Sequence, residues 1–234
     1  MRWVVPFFLL QHRVLDRIAQ PILPSRYSIV PANIAGEHAR VDAHRQAWAP
    51  ARIKGLLGLT VTGDEPPSGF TLDKYREMTS VSIYRPELDL VVCAPDGSPA
   101  AFALGWLDDR SKSVLFEPVG TSPGHARRGL SRAVCSAVMS AARDVGATQS
   151  VVGPRGVDAY PAPRRLYESL GFTTLARTTT LTWGAHEHCA QRPHIGPIDR
   201  RDVPLVDGSV VGQRPCEEAL WVGTRLRRQS WTMP

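Results

Sequence analysis

Long hydrophobic runs are missing from this chain. Its most apolar block, Trp3 to Leu10, is eight residues long and is interrupted by Pro6, whereas a membrane-spanning helix needs about 20 apolar residues. No membrane span is expected. Gln11-His12-Arg13 follows without a small-residue cleavage site, so residues 1–25 read as an N-terminal extension packing on the domain, a partner or a membrane surface. Cysteine is scarce. Cys93, Cys135, Cys189 and Cys216 are too few and too scattered for a disulfide framework. Cys93 falls in an apolar strand and Cys135 in a helix, where thiols are ordinary small core residues. This usage points to a reducing, cytoplasmic setting.

Dense basic tracts are absent too, although the formal charge is +6 and the pI about 9.5. The arginines are scattered, so the charge suits an anionic ligand without specifying nucleic acid. No internal repeat occurs. His186, His188, Cys189 and His194 lack any specific zinc spacing, and no metal is expected. With 43% apolar residues in 234, the chain can bury the core of one generous domain, with or without appendages.

Tyr27 to Pro31 reads as a first strand. Ala35 to Trp48 follows with helical spacing and ends near Pro50. Residues 51–69 hold four glycines and two prolines and read as a long loop; residues 71–79 read as a short second helix. Leu88 to Ala94 and Ala100 to Leu107 read as strands on either side of the turn Pro95-Asp96-Gly97-Ser98. Thr148 to Val152 is a further strand. Tyr160 to Phe172 holds a helix with prolines in its first turn and Gly171 as cap. Phe172 to Ala176 and Thr178 to Trp183 read as closing strands. Residues 184–234 show no sustained periodicity and read as a poorly ordered tail with a short helix near Glu217 to Leu226.

Residues 114–145 organise the rest. Val114 to Val119 is a short apolar run bounded by turn residues, hence a buried strand. Gly120 to Gly124 is a loop. Arg127-Arg128-Gly129 then opens a helix whose apolar positions, Leu130, Ala133, Val134, Ala137, Val138, Ala141 and Val145, form one stripe. The first N–H groups of a helix lack intrahelical partners and sit at its positive end. Together with the arginines they suit a phosphate or pyrophosphate. The other reading is a connecting loop with solvated arginines. A Walker A loop is excluded, because Arg128-Gly129-Leu130 stands where Gly-Lys-Ser/Thr is needed. Glu117, in the middle of the strand and on the side of Leu115 and Val119 by alternation, is either a carboxylate raised by burial into the range of a general base or a structural partner of an arginine. Tyr167 is either a functional phenol or an amphipathic core tyrosine.

FEPVGTSPGHARRGL and APRRLYESLGF together resemble the GNAT superfamily of acyl-CoA-dependent N-acyltransferases, over about residues 26–183. The family's Arg/Gln-x-x-Gly-x-Gly/Ala loop is matched here by Ala126-Arg127-Arg128-Gly129-Leu130-Ser131, with Ala126 and Ser131 departing from it. The resemblance implies an α/β fold with a mixed, mostly antiparallel central sheet splayed between its fourth and fifth strands and flanked by helices. It implies acetyl-CoA as co-substrate, held by Pro118, Val119, Gly120 and Thr121, by Ala126 through Ser131, and by Tyr160 and Tyr167. Tyr160 stands where the family commonly has asparagine. It also implies that Glu117 is the base, that the Val119 N–H stabilises the thioester carbonyl, and that Tyr167 protonates the departing thiolate.

The implied activity is transfer of an acetyl group from acetyl-CoA to a primary amine, small or peptidic, by direct attack in a ternary complex, in a monomer or homodimer. A non-catalytic acyl-CoA-binding or sensing module is the alternative, and a nucleic-acid-binding tail a third reading. Trp48, His44, Trp106, Tyr84 and Glu87 are candidates for the acceptor pocket.

Overall fold

The computed structural model describes residues 7–178. The expected strand at residues 178–183, the tail helix and the His/Cys cluster at 186–194 lie outside the described residues, apart from Thr178 itself. The elements are β1 (Leu9–Val14), β2 (Ser28–Pro31), α1 (Ala32–Ala35), α2 (Glu37–Ala47), α3 (Pro50–Leu56), α4 (Leu72–Thr79), β3 (Asp89–Cys93), β4 (Pro99–Asp108), β5 (Ser113–Thr121), α5 (Leu130–Asp144), β6 (Gln149–Val152), α6 (Ala162–Ser169) and β7 (Thr173–Arg177). The strands form one sheet in the order β2-β3-β4-β5-β6-β1-β7. All pairings are antiparallel except β5 with β6. This is the mixed, mostly antiparallel α/β sheet that the sequence led us to expect.

Two local expectations change. Residues 51–69 are not all loop, because Pro50 opens α3 and Ile53 is buried beneath it. Proline suits a first helical position, where its missing N–H costs nothing. The larger change concerns residues 1–25. Leu9–Val14 is no appendage but an interior strand, antiparallel to β6 on one side and to β7 on the other. Gln11 is fully buried there, and its amide donates to the Thr174 hydroxyl. The Arg13 guanidinium donates to the carbonyls of Leu170 and Arg17, tying β1 to the end of α6.

Both faces of the sheet are covered over β3 to β5. Leu90, Val92, Ala101, Ala103, Val114 and Phe116 pack with Val134, Val138 and Met139 of α5. On the opposite face Val91 and Phe102 lie under Ala32, Ala43 and Ala47 of α1 and α2. Alternation along β3 and β4 dictates this division. Beside the second layer, Arg40 donates to Asp89 at 2.8 Å, both side chains being 0% exposed. Tyr75 and Tyr84 donate to the other oxygen of Asp89.

Candidate active site

β5 and β6 run side by side only over Ser113–Leu115 and Gln149–Val151. β5 then continues to Thr121 while β6 ends at Val152. The two strands therefore part, and Glu117, Pro118, Val119, Gly120 and Thr121 lie on the stretch of β5 beyond that pairing. The opening coincides with a bulge. Ala103 pairs with Val119 but Gly105 pairs with Phe116, so two steps on β4 face three on β5. Directly paired residues share a face, which puts Val119 on the side of Phe116 and opposite Leu115. Strict alternation, which grouped Leu115, Glu117 and Val119, fails because the extra residue falls at Glu117–Pro118. A bulge re-aims the side chains around it.

Glu117 is half-buried, and burial raises its pKa above the ordinary carboxylate value. Among the described residues it forms no ion pair, so the reading of it as an arginine's structural partner gains no support. Its main-chain carbonyl accepts from the Trp106 indole at 2.7 Å. Trp106 in turn meets the Tyr84 ring edge-on. This strut was not legible in the sequence, where Trp106 was only one candidate among several pocket aromatics.

Tyr167, on α6, is buried against Phe172, with ring centroids 5.6 Å apart. Burial foremost, then Cys135, Glu117 and Tyr160, push its pKa well above the ordinary phenol value. The phenol therefore stays protonated at neutral pH. Glu117 and Tyr160 act on the same hydroxyl although 50 and seven residues separate them from it in sequence. Parallel pairing of β5 with β6, and the short loop from β6 into α6, bring them together.

The phosphate candidates follow β5. Gly129 is the N-cap of α5 with φ 77°, and no side chain caps the helix or places an acid in its first turn. Arg127 also has positive φ, 63°, a conformation that costs a non-glycine residue of order 1–3 kcal/mol and persists only where its surroundings impose it. Ala126, Arg127, Arg128 and Gly129 are exposed, and neither arginine has an ion pair among the described residues. The Leu130 side chain is in the core, so only its N–H is available. The Ser131 hydroxyl bonds to that of Thr121, tying the helix to the end of β5. Uncapped N–H groups with two uncommitted guanidinium groups fit an anionic group such as a pyrophosphate.

Gly120 lies where space runs out. A Cβ built on it would stand 2.7 Å from Ala47 Cβ and 2.7 Å from the Phe102 ring. Only glycine lets α2 close over this end of β5. Of the acceptor-side candidates, His44 is buried against Phe70 and Phe102. Burial, reinforced by Arg40, lowers its pKa to about 3, which removes it as a base. Trp48 stacks on His44, Tyr84 serves Asp89, and Glu87 lies 4.0 Å from Arg85. Of these four, Tyr84 meets the Trp106 ring, whose indole donates to the Glu117 carbonyl.

Among the described residues no group of three or more His, Cys, Asp or Glu side chains is placed to hold a metal, and no helix is long and apolar enough to cross a membrane.

Residues 59–172 match the model of the acetyltransferase (GNAT) family. Among solved structures, a GCN5-related N-acetyltransferase from Sphaerobacter thermophilus superimposes with a TM-score of 0.58 at 22% identity, covering 74% of this chain and 50% of that one. The chain thus spans half the length of that protein. The ribosomal-protein-S18-alanine N-acetyltransferase from Escherichia coli gives a TM-score of 0.47 at 19% identity over 64% of this chain and 79% of that one. Comparison with curated proteins returns no match.

Proposed function

Since the chain belongs, through residues 59–172, to the acetyltransferase (GNAT) family, we propose that it transfers an acetyl group from acetyl-CoA to a primary amine by direct attack in a ternary complex. The observation that carries this reading is the convergence of a half-buried carboxyl, Glu117, and a buried, protonated phenol, Tyr167, at the parting of β5 and β6. An uncapped helix N-terminus with two uncommitted arginines lies just beyond.

Acetyl-CoA supplies an activated thioester carbonyl. Arg127, Arg128 and the first N–H groups of α5 would hold its pyrophosphate, with Gly120 keeping the adjacent strand close to α2. The Val119 N–H would donate a hydrogen bond to the carbonyl oxygen as negative charge develops there. Glu117, its pKa raised by burial, takes the proton that the amine nitrogen must lose on forming its new C–N bond. As the C–S bond breaks, Tyr167 gives its proton to the departing sulfur, a step suited to a phenol kept neutral.

The test has two parts. Thermal unfolding with acetyl-CoA at about 100 times Kd should gain about 2.7 kcal/mol of stability, a rise of several degrees, and the gain should vanish in the Arg127→Ala/Arg128→Ala variant. Tyr167→Phe should lower kcat by about 100-fold with the shift retained. No shift at millimolar acetyl-CoA would overturn the assignment. A shift without turnover on a broad amine panel would make this an acyl-CoA-binding module.

A further inference from the structure

Two arginines that no family motif singled out are anchored near the strands that part, one through α3 and one through the loop after β6. Arg52, in α3, donates to the carbonyl of Ala47, and Ala47 is the residue that closes over Gly120. Arg52 thereby belongs to the β5 wall. Arg155 lies three residues beyond the end of β6. A bridge to Phe8 holds its backbone, and its guanidinium lies over the Phe8 ring, 5.7 Å from the centroid. Arg155 thereby belongs to the β6 wall. Tyr160 lies in the loop between β6 and α6, and all three side chains are half-buried.

We propose that Arg52 and Arg155 form an anion subsite around Tyr160, and that the acceptor is a small amine carrying a carboxylate. The proposal rests on the reading of the β5–β6 opening as the acetyl-transfer site. Neither arginine has an acidic partner among the described residues, and a partly desolvated guanidinium without a counter-charge is costly to keep. Both positive charges reach the Tyr160 phenol, acting against the burial that raises its pKa. Burial likewise lowers the pKa of Arg155, with only Tyr160 opposing it. A ligand carboxylate would accept hydrogen bonds from the planar guanidinium forks and complete both. Tyr160 also acts on Tyr167. A carboxylate held at Tyr160 therefore belongs to a molecule whose amine reaches the Glu117–Tyr167 pair.

Phosphate groups of the coenzyme are the other source of negative charge, and kinetics separate the two. L-amino acids and their carboxamides are compared as acceptors by thiol release from acetyl-CoA. Wild-type protein should favour the acid over its amide by about 10- to 100-fold in kcat/KM, the worth of one or two charge-assisted hydrogen bonds. In Arg52→Gln and Arg155→Gln the preference should fall toward unity while the KM for acetyl-CoA holds. Arg155→Lys, which keeps the charge but loses the fork, should fall between. Equal use of acid and amide by the wild type would overturn the proposal. So would variants that raise the acetyl-CoA KM and leave the acid preference intact, since the arginines would then serve the coenzyme. If no amine is turned over, calorimetric binding of acid and amide to the coenzyme-saturated protein reads the same subsite. Failure there alongside normal acetyl-CoA binding overturns this inference and leaves the coenzyme site standing.

Discussion

The buried pair Arg40–Asp89 offers the most severe test of how α2 is held to β3. Both side chains are 0% exposed and 2.8 Å apart. Asp89 accepts from Arg40 on one oxygen and from two tyrosine hydroxyls on the other. Those phenols stay protonated, because burial foremost, then Asp89, raises both, Tyr84 to about 12. The two terminal nitrogens of Arg40 have no hydrogen-bond partner among the described residues, but the guanidinium lies 4.0 Å from the Phe102 ring centroid. Asp89→Asn keeps the shape and one acceptor oxygen, so its effect isolates the charge. Unit charges about 4 Å apart attract by about 4 kcal/mol at an effective dielectric of 20. Leaving one buried partner uncompensated costs about 3–5 kcal/mol.

At about 2–4 °C per kcal/mol for a protein of this size, Asp89→Asn should lower Tm by roughly 6–20 °C. Adding Arg40→Met removes the stranded cation. The double variant should therefore recover a large part of the loss and lie at least ~1.5 kcal/mol above the sum of the single effects. Thermal unfolding of the four proteins in one buffer completes the cycle. A single-variant loss below ~1 kcal/mol, or additivity within ~0.5 kcal/mol, would show that the pair does not hold α2 to β3 as argued.

Three further outcomes follow from the site. Burial raises the pKa of Glu117 in the fold, so the wild type carries no penalty below the ordinary glutamate value of 4.5 and loses stability as pH rises through the folded value. Glu117→Gln should accordingly unfold at higher temperature than wild type near pH 8, lose that advantage near pH 4, and lower kcat/KM by about 100-fold; equal stability at both pH values would refute the burial argument. Gly120→Ala forces a Cβ into Ala47 and Phe102, which should cost about 1–3 kcal/mol and weaken acetyl-CoA binding in calorimetry, whereas unchanged stability would show that α2 moves freely. Deleting residues 1–14 should abolish the cooperative unfolding transition seen by circular dichroism, while a folded truncated domain would show that β1 is dispensable.

Local signals made most elements legible. The apolar stripe from Leu130 located α5, and apolar runs on either side of the turn Pro95 to Ser98 located β3 and β4. The wording around Glu117 and Tyr167 pointed to two residues that the fold brings within electrostatic reach of each other. What escaped depended on partners far along the chain. Leu9–Val14 carries no strand alternation of its own, because Gln11 is buried by its bond to Thr174 rather than by being apolar. Arg52 and Arg155 read as two of many scattered arginines, and only the folding of α3 over Ala47 and the bridge from Phe8 to Arg155 give them a place. The bulge at Glu117–Pro118 was hidden because a register shift belongs to a strand pair and not to one strand.

The position of β1 bears directly on the site. β5 grips β6 only over Ser113–Leu115, so that strand pair alone would leave the far wall of the opening loosely held. β1 pairs with β6 along its whole length, from Gln149 to Val152, and with β7 on its other edge. The parting of β5 and β6, which lets Glu117 and Tyr167 share a space, is thus kept open by a strand from the other end of the sequence. Such long-range pairing forms late, because loop closure precedes any gain from the contacts. Hydrogen exchange during refolding should accordingly protect α5 and the β3–β5 meander before the β6 amides, and earlier protection of β6 would contradict this dependence.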